Sequence, residues 1–219
     1  MNYDCDILVF APHPDDEVLG TGGTIAKATA DGKRVIVCIA TSNEDDSDIR
    51  KKECEDACSI LGIEEILTLD FPDLALDRVP HSEFTGAIQD VIQKYRPQTV
   101  FTPYSGDLHT DHKALAAAVL VALRPKYSFI PANAYMYETL SETGWDYMNP
   151  INEFIPNVYV DISCSIDKKV SAFMAHESQQ EEPPLCRNPN AIVSLARYRG
   201  TQAGMYAAEA FSTIRRYEY

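Results

Sequence analysis

The sequence predicts an α/β protein, a three-layer, Rossmann-like α/β/α sandwich on a mostly parallel sheet, and three observations carry that expectation. Short strand-like runs alternate with longer helical patterns along the first hundred residues. The runs are apolar throughout rather than every second residue, as strands covered on both faces must be. A chain of 219 residues with 45% hydrophobic content is also long enough for one well-buried core. A single domain over residues 1–219 is the matching expectation.

Taken in order, strands are expected at 7–12 ("ILVFAP"), 34–40 ("RVIVCIA"), 65–70 ("EILTLD") and 99–103 ("TVFTP"), with helices near 17–30, 48–61 and 83–95 between them. Such βαβ alternation places ligands outside the carboxyl ends of the strands. The acidic "NEDDSD" at 43–48 reads as a solvated helix start, with Ser47 or Asp48 as N-cap. A helix over 112–123 contains "ALAAAVLVAL" and stops at Arg124-Pro125. That run falls short of the roughly 18 apolar residues of a membrane span. Two more strands are expected at 134–138 and 157–162. Beyond residue 140 the pattern loosens around Pro150, Pro156 and the polar "ESQQEEPPLCRNPN" (177–190), before a last helical stretch over about 190–211.

A formal charge of -14 argues against nucleic acid and against an anionic membrane surface, both of which need a basic face. The amino-terminal "MNYDCDILVF" lacks a basic start and a small-residue cleavage site, so the cytoplasm is expected. The six cysteines form no C-x-x-C pair and read as free, mostly buried thiols. Cys54 and Cys58 share a helix face at i, i+4; with no histidine near them in sequence, packing is preferred over a metal pair. A homo-oligomer stays open.

Chemistry concentrates at two strand ends. In "FAPHPDDEVLG" (10–20), Asp15, Asp16 and Glu17 stand side by side after a buried strand, a costly arrangement unless a cation or proton is shared there. The following "GTGGT" is not a phosphate loop, because a proline-bracketed histidine and three acids occupy the place where backbone amides would meet pyrophosphate. Gly20, Gly22 and Gly23 instead suit close packing of a helix on the sheet. In "FTPYSGDLHTDHKAL" (101–115) a second strand end delivers His109, Asp111 and His112 to a helix start. Three of the five histidines, His13, His109 and His112, therefore fall on one sheet edge. Two imidazoles and a carboxylate match a hydrolytic zinc site that keeps one position open for water. Asp111 is equally well placed as the N-cap of its helix. His81 and His176 have no such company and read as surface or hydrogen-bonded residues.

"HPDDE" and "HTDH" resemble the paired motifs of the PIG-L/LmbE-type zinc-dependent de-N-acetylases. The resemblance continues through "RKKECEDACSILG" (50–62), "FPDLAL" (71–76), "VDISCSIDKKVSAFMAHESQ", "ARYRG" and "YAAEAF", and so covers nearly the whole chain. One departure is Asn43, where the family commonly has glycine, just before Glu44. The resemblance implies His13, Asp16 and His112 as ligands of one zinc per chain, with ferrous iron as the alternative ion. It implies Asp15 as general base, His109 on the leaving-group side oriented and kept protonated by Asp111, and Arg50 toward the substrate. Residue types alone do not separate Asp15 from Asp16. The activity implied is hydrolysis of an N-acetylated amino sugar, a soluble glycoside or nucleotide sugar, to acetate and a free amine. Tyr104, Trp145 and Tyr147 are candidates either for stacking on a sugar or for the core. Alternatives are a metal-dependent phosphoesterase, which wants two ions and basic groups, and a nonenzymatic metal-binding protein, which has no use for Asp15, His109 and Asp111.

Overall fold

The computed structural model describes residues 2–42 and 47–218, apart from the side chain of Ser47. Seven strands form one sheet: β1 (Cys5–Ala11), β2 (Val35–Ser42), β3 (Glu65–Pro72), β4 (Pro97–Pro103), β5 (Asn133–Tyr137), β6 (Val158–Asp161) and β7 (Ala208–Arg216), in the order β3-β2-β1-β4-β5-β7-β6. β1 to β5 pair in parallel; β7 runs antiparallel to both β5 and β6. The helices are α1 (Asp16–Ala30), α2 (Ser47–Leu61), α3 (His81–Tyr95), α4 (Thr110–Ala122), α5 (Ile166–Met174) and α6 (Pro189–Ala203).

Strand period divides the core into two. Ile7, Val9 and Ala11 of β1 face one way with Val35, Val37 and Ile39 of β2, and pack on Val18, Ile25, Cys54 and Phe173 from α1, α2 and α5. Leu8, Phe10, Ile36 and Cys38 face the other way, toward Phe84, Ile88, Leu115 and Val119 of α3 and α4. Side chains of successive strand residues point to opposite faces, so an apolar residue at every position builds a helix layer on each side. β1 has β2 on one flank and β4 on the other. The chain leaves this pair in opposite directions, opening a crevice beyond their carboxyl ends.

The early glycines seat α1. A Cβ on Gly20 would lie 2.1 Å from Cδ2 of the buried Tyr137, and one on Gly23 would lie 2.7 Å from Ile162 Cδ1. A buried ion pair then ties α1 to the carboxyl-terminal half. Glu209 accepts the Gly23 and Thr24 N–H groups at 2.8 and 2.7 Å, and Lys169 Nζ donates to Glu209 at 2.6 Å and to the Leu19 carbonyl at 2.8 Å.

Three sequence expectations are corrected. The last helix does not reach 211: it stops at Ala203, Gly204 takes φ +71°, and 208–216 is β7. "AAEAF" has helical composition, yet its backbone pairs with β6, and from Phe211 onward β7 pairs with β5. α4 begins at Thr110 with His109 as its N-cap, so Asp111 is not the cap. α2 begins at Ser47, which puts Asp48 in its first turn; Glu44 lies outside the described residues. All six cysteines are free, with Cys5, Cys38, Cys54 and Cys58 buried, Cys186 half-buried and Cys164 exposed.

Candidate metal centre and active site

The chain turns from β1 into α1 through His13, Pro14 and Asp15. Asp15 holds φ +126°, a left-handed conformation that costs a non-glycine residue about 1–3 kcal/mol. The turn aims Asp16 and Glu17 from the first turn of α1, where the helix dipole favours carboxylates. From β4, a loop leads to His109, whose Nδ1 accepts the Asp111 N–H at 3.1 Å, and α4 then presents Asp111 and His112.

These two strand ends meet. Ligand atoms of His13, Asp16 and His112 lie within 4.8 Å of one another, all three residues being buried. Asp16 Oδ2 sits 3.1 Å from His13 Nδ1 and 3.3 Å from His112 Nε2. The distal nitrogens are held from behind: His112 Nδ1 by Asp107 Oδ2 at 2.8 Å, His13 Nε2 by Asp73 Oδ1 at 3.1 Å and Asp111 Oδ2 at 3.2 Å. Carboxylates behind metal-binding imidazoles fix ring orientation and raise basicity. The donor chemistry, two nitrogens and one oxygen, thus fits zinc.

The cluster's charges shift one another. Burial opposes a charged His112, yet Asp16 and Asp107 outweigh it and push its pKa up to about 9. His13 is likewise raised, against its burial, by hydrogen bonds to Asp111, Asp16 and Asp73. Burial alone would raise Asp16, but the two imidazoles hold it well below the usual carboxylate range.

Asp15 stands apart from its neighbour. Its carboxylate is 1% exposed, Oδ2 has no hydrogen-bond partner, and Arg50 Nη2 lies 4.0 Å from Oδ1 while donating to the Pro14 carbonyl at 2.8 Å. Burial, reinforced by the Asp16 charge, pushes its pKa up to about 6, with Arg187, His176 and Arg50 pulling the other way. A cavity of about 620 Å³ opens alongside, bordered by Pro14, Arg50, Thr68, Asp70 and Asp73.

The expected Asp111–His109 carboxylate contact is not made. Asp111 accepts the Leu74 and Leu76 N–H groups at 2.8 and 3.0 Å and faces His13 instead. His109 receives only the Asp111 backbone N–H, and its pKa is lowered by burial and by the nearby His13 and His112 charges. An Nδ1 that accepts a backbone N–H leaves the ring proton on Nε2.

Several contributors were not singled out in the sequence. Asp107 lies in the same loop as His109; Asp73 follows β3; Glu17 was seen only as part of the acidic cluster. His176, expected to be an ordinary residue, is fully buried against Glu17. His81 is exposed at the start of α3. Trp145 and Tyr147 are exposed and Tyr104 half-buried, so none belongs to the core.

The family described as GlcNAc-PI de-N-acetylase (PIG-L) matches residues 8–123. A probable N-acetyl-alpha-D-glucosaminyl L-malate deacetylase 2 of Bacillus cereus is 30% identical over 80% of this chain and 84% of its own length. Diacetylchitobiose deacetylase of Thermococcus kodakarensis is 31% identical over 95% of this chain and 82% of its own. Among solved structures, a conserved protein of Thermus thermophilus superposes with a TM-score of 0.79 at 29% identity, covering 98% of this chain and 97% of that one.

Proposed function

The chain belongs to the PIG-L de-N-acetylase family, and from that premise we propose how its residues divide the hydrolysis of an N-acetylated amino sugar to acetate and free amine. The observation that carries the reading is the contrast between two adjacent acids: Asp16 touches both imidazoles, whereas the equally buried Asp15 keeps an oxygen without a partner. His13, Asp16 and His112 are the metal ligands. Zinc held there would supply Lewis acidity, lowering the pKa of water toward about 7 and polarising the amide carbonyl; ferrous iron suits the same donors.

Asp15, ionised at neutral pH, takes the proton of the attacking water with its free Oδ2. His109 donates from Nε2 to the developing oxyanion, a role a neutral imidazole fills. The proton taken up by Asp15 then returns to the leaving nitrogen, since a carboxyl with a pKa near 6 gives it up readily. Arg50 faces the substrate, and the cavity beside it accommodates a sugar. The exposed Trp145 and Tyr147, with the rest of 140–190, set specificity, and Trp145 and Tyr147 offer faces for sugar stacking.

The substrate class we favour is a small glycoside or nucleotide sugar; the relatives named above act on glycosides of N-acetylglucosamine. A phosphoesterase wants two ions and basic groups for phosphate; the two donor groups here, His13–Asp16–His112 and His13–His109–Asp111, share His13, which favours one ion. No helix among the described residues is long and apolar enough to cross a membrane. Free thiols support the cytoplasm as its compartment. The test is to incubate zinc-loaded protein with a panel of N-acetylated amino sugars and quantify acetate and amine. Equimolar release supports the reading; no release from any member, or phosphate from phosphorylated members instead, overturns it.

A further inference from the structure

The buried polar group that the mechanism leaves idle is His176. It sits at the end of α5 with no solvent exposure, and neither ring nitrogen has a hydrogen-bond partner. The turn after it is pinned, because Ser178 donates its N–H and hydroxyl to the Glu53 carboxylate of α2 at 2.8 and 2.6 Å. That anchorage sets the His176 ring against Glu17, with Nε2 3.6 Å from Oε1. Glu17 has no exposure either, and among the described residues His176 is the one basic side chain against its carboxylate. The other carboxylate oxygen, Oε2, accepts the N–H of Asp15 at 3.0 Å.

We propose that His176 and Glu17 form a buried relay that holds the Asp15 backbone in its left-handed turn, so that His176, distant in sequence, is a positioning residue for the general base. This inference rests on the role proposed for Asp15. Physically, a φ of +126° in a non-glycine residue persists only if its surroundings impose it. The Val18 and Leu19 N–H groups hold the Asp15 carbonyl at 3.0 and 2.9 Å, and the Glu17 carboxylate is the side-chain restraint on its N–H. A carboxylate with no water around it needs an opposing positive group to remain a strong acceptor, and His176 is placed to be one. Burial disfavours a charged His176, but Glu17 outweighs it and raises its pKa, in keeping with this pairing.

The same neighbourhood offers a competing reading, because ligand atoms of Glu17, Cys54 and Cys58 also lie within 4.8 Å of one another. Metal binding there needs thiolates. Cys54 Sγ instead points at Glu17 Oε1 at 3.8 Å, the geometry of a thiol donating to a carboxylate.

The experiment compares His176→Leu, His176→Gln and Glu17→Gln with the parent protein, in metal-loaded form. His176→Leu should lower kcat by about tenfold to 100-fold, the scale of a small misplacement of a reacting group, with KM and metal content unchanged. His176→Gln, whose amide donates to Glu17, should recover part of the loss. In an Asp15→Asn background, His176→Leu should change residual activity by less than about twofold, since a residue acting through Asp15 has nothing left to act on. Amide exchange at Asp15, which needs no substrate, should be faster in His176→Leu. Should that variant not fold, Glu17→Gln carries the same comparisons. An unchanged kcat, a loss that multiplies with Asp15→Asn, unchanged exchange at Asp15, or a second ion that leaves on Cys54→Ser would each overturn the relay. If the parent released no acetate, the proposed function would fall, and the exchange measurement would still decide the relay.

Discussion

Asp107 gives the sharpest prediction about the metal centre. Its Oδ2 accepts from His112 Nδ1 at 2.8 Å and its Oδ1 from the Thr143 hydroxyl at 2.6 Å. Asp107→Asn keeps the shape and still offers a carbonyl oxygen to His112, so it exchanges a charge-assisted hydrogen bond for a neutral one. The two are worth about 1.5–3 and about 0.5–1.5 kcal/mol. The difference, about 1–1.5 kcal/mol, corresponds to about five- to fifteenfold in zinc affinity. Asp107→Ala removes the acceptor entirely and should cost about 10- to 100-fold, the range for such supporting groups. Chelator competition measures both, and a melt of the metal-free variants guards against a loss of fold. Burial raises the pKa of Asp107, so neutralising it should leave the metal-free protein no less stable. Affinity within twofold of the parent in Asp107→Ala, or a larger loss in Asp107→Asn than in Asp107→Ala, would refute the reasoning.

Four further outcomes are expected. Asp16→Asn should lose the ion, whereas Asp15→Asn should retain it and lose turnover; metal analysis beside kinetics would expose reversed roles. Activity should rise with pH along a limb at or below about 6, because Asp15 is protonated below its pKa and a nearby cation lowers that pKa further; a limb well above 6 in the pH–rate profile would count against Asp15. In the metal-free protein, His112 has a folded pKa of about 9 against an ordinary 6.5. Its stabilisation is complete below 6.5 and lost as pH rises through 9, so melting temperature should fall over that window in chelator and not with zinc bound. Gly20→Ala should destabilise by about 1–3 kcal/mol in chemical denaturation, since its Cβ meets Tyr137, whose hydroxyl is tied to the Phe10 carbonyl at 3.0 Å.

What the sequence made legible follows from how local each feature is. The parallel sheet could be read because β1, β2 and β4 are apolar on both faces, and this forces a helix layer on each side. The meeting of His13 with His112 could be read because both follow strand ends that topology places side by side. Asp111 has hydrogen-bond partners that its sequence neighbourhood does not announce. Its residue type suggested service to His109 two residues away, but the Leu74 and Leu76 amides claim the carboxylate. β7 is hidden for a related reason, since alanine-rich "AAEAF" becomes a strand only through pairing with the distant β6. His176 lies in the "AHESQ" segment that shares in the family resemblance, but its contact with Glu17 arises only because α5 packs on α1 and α2.

That distribution has a consequence for how the site is built. All three proposed ligands and Asp15 lie within residues 8–123, the span that matches the family. The carboxylates directly behind the imidazoles, Asp73, Asp107 and Asp111, lie there too, and further constraining groups come from beyond it. Thr143 donates to the Asp107 carboxylate, His176 stands behind Glu17, and Arg187 draws the Asp15 pKa down while donating to Gln179 and Ser141 at 3.1 and 3.4 Å. The amino-terminal part thus supplies the donor set and its nearest carboxylates, and the carboxyl-terminal part adds a second layer of contacts behind them. Changes at Thr143, His176 or Arg187 should therefore leave the ion in place more readily than changes at Asp16, while still altering turnover. The Arg187 arm makes the point most directly: Arg187→Gln removes the largest influence opposing the upward shift of Asp15, so the acidic limb of activity should move to higher pH with the ion retained. A limb that stays put would show that the carboxyl-terminal half supports the fold without tuning the base.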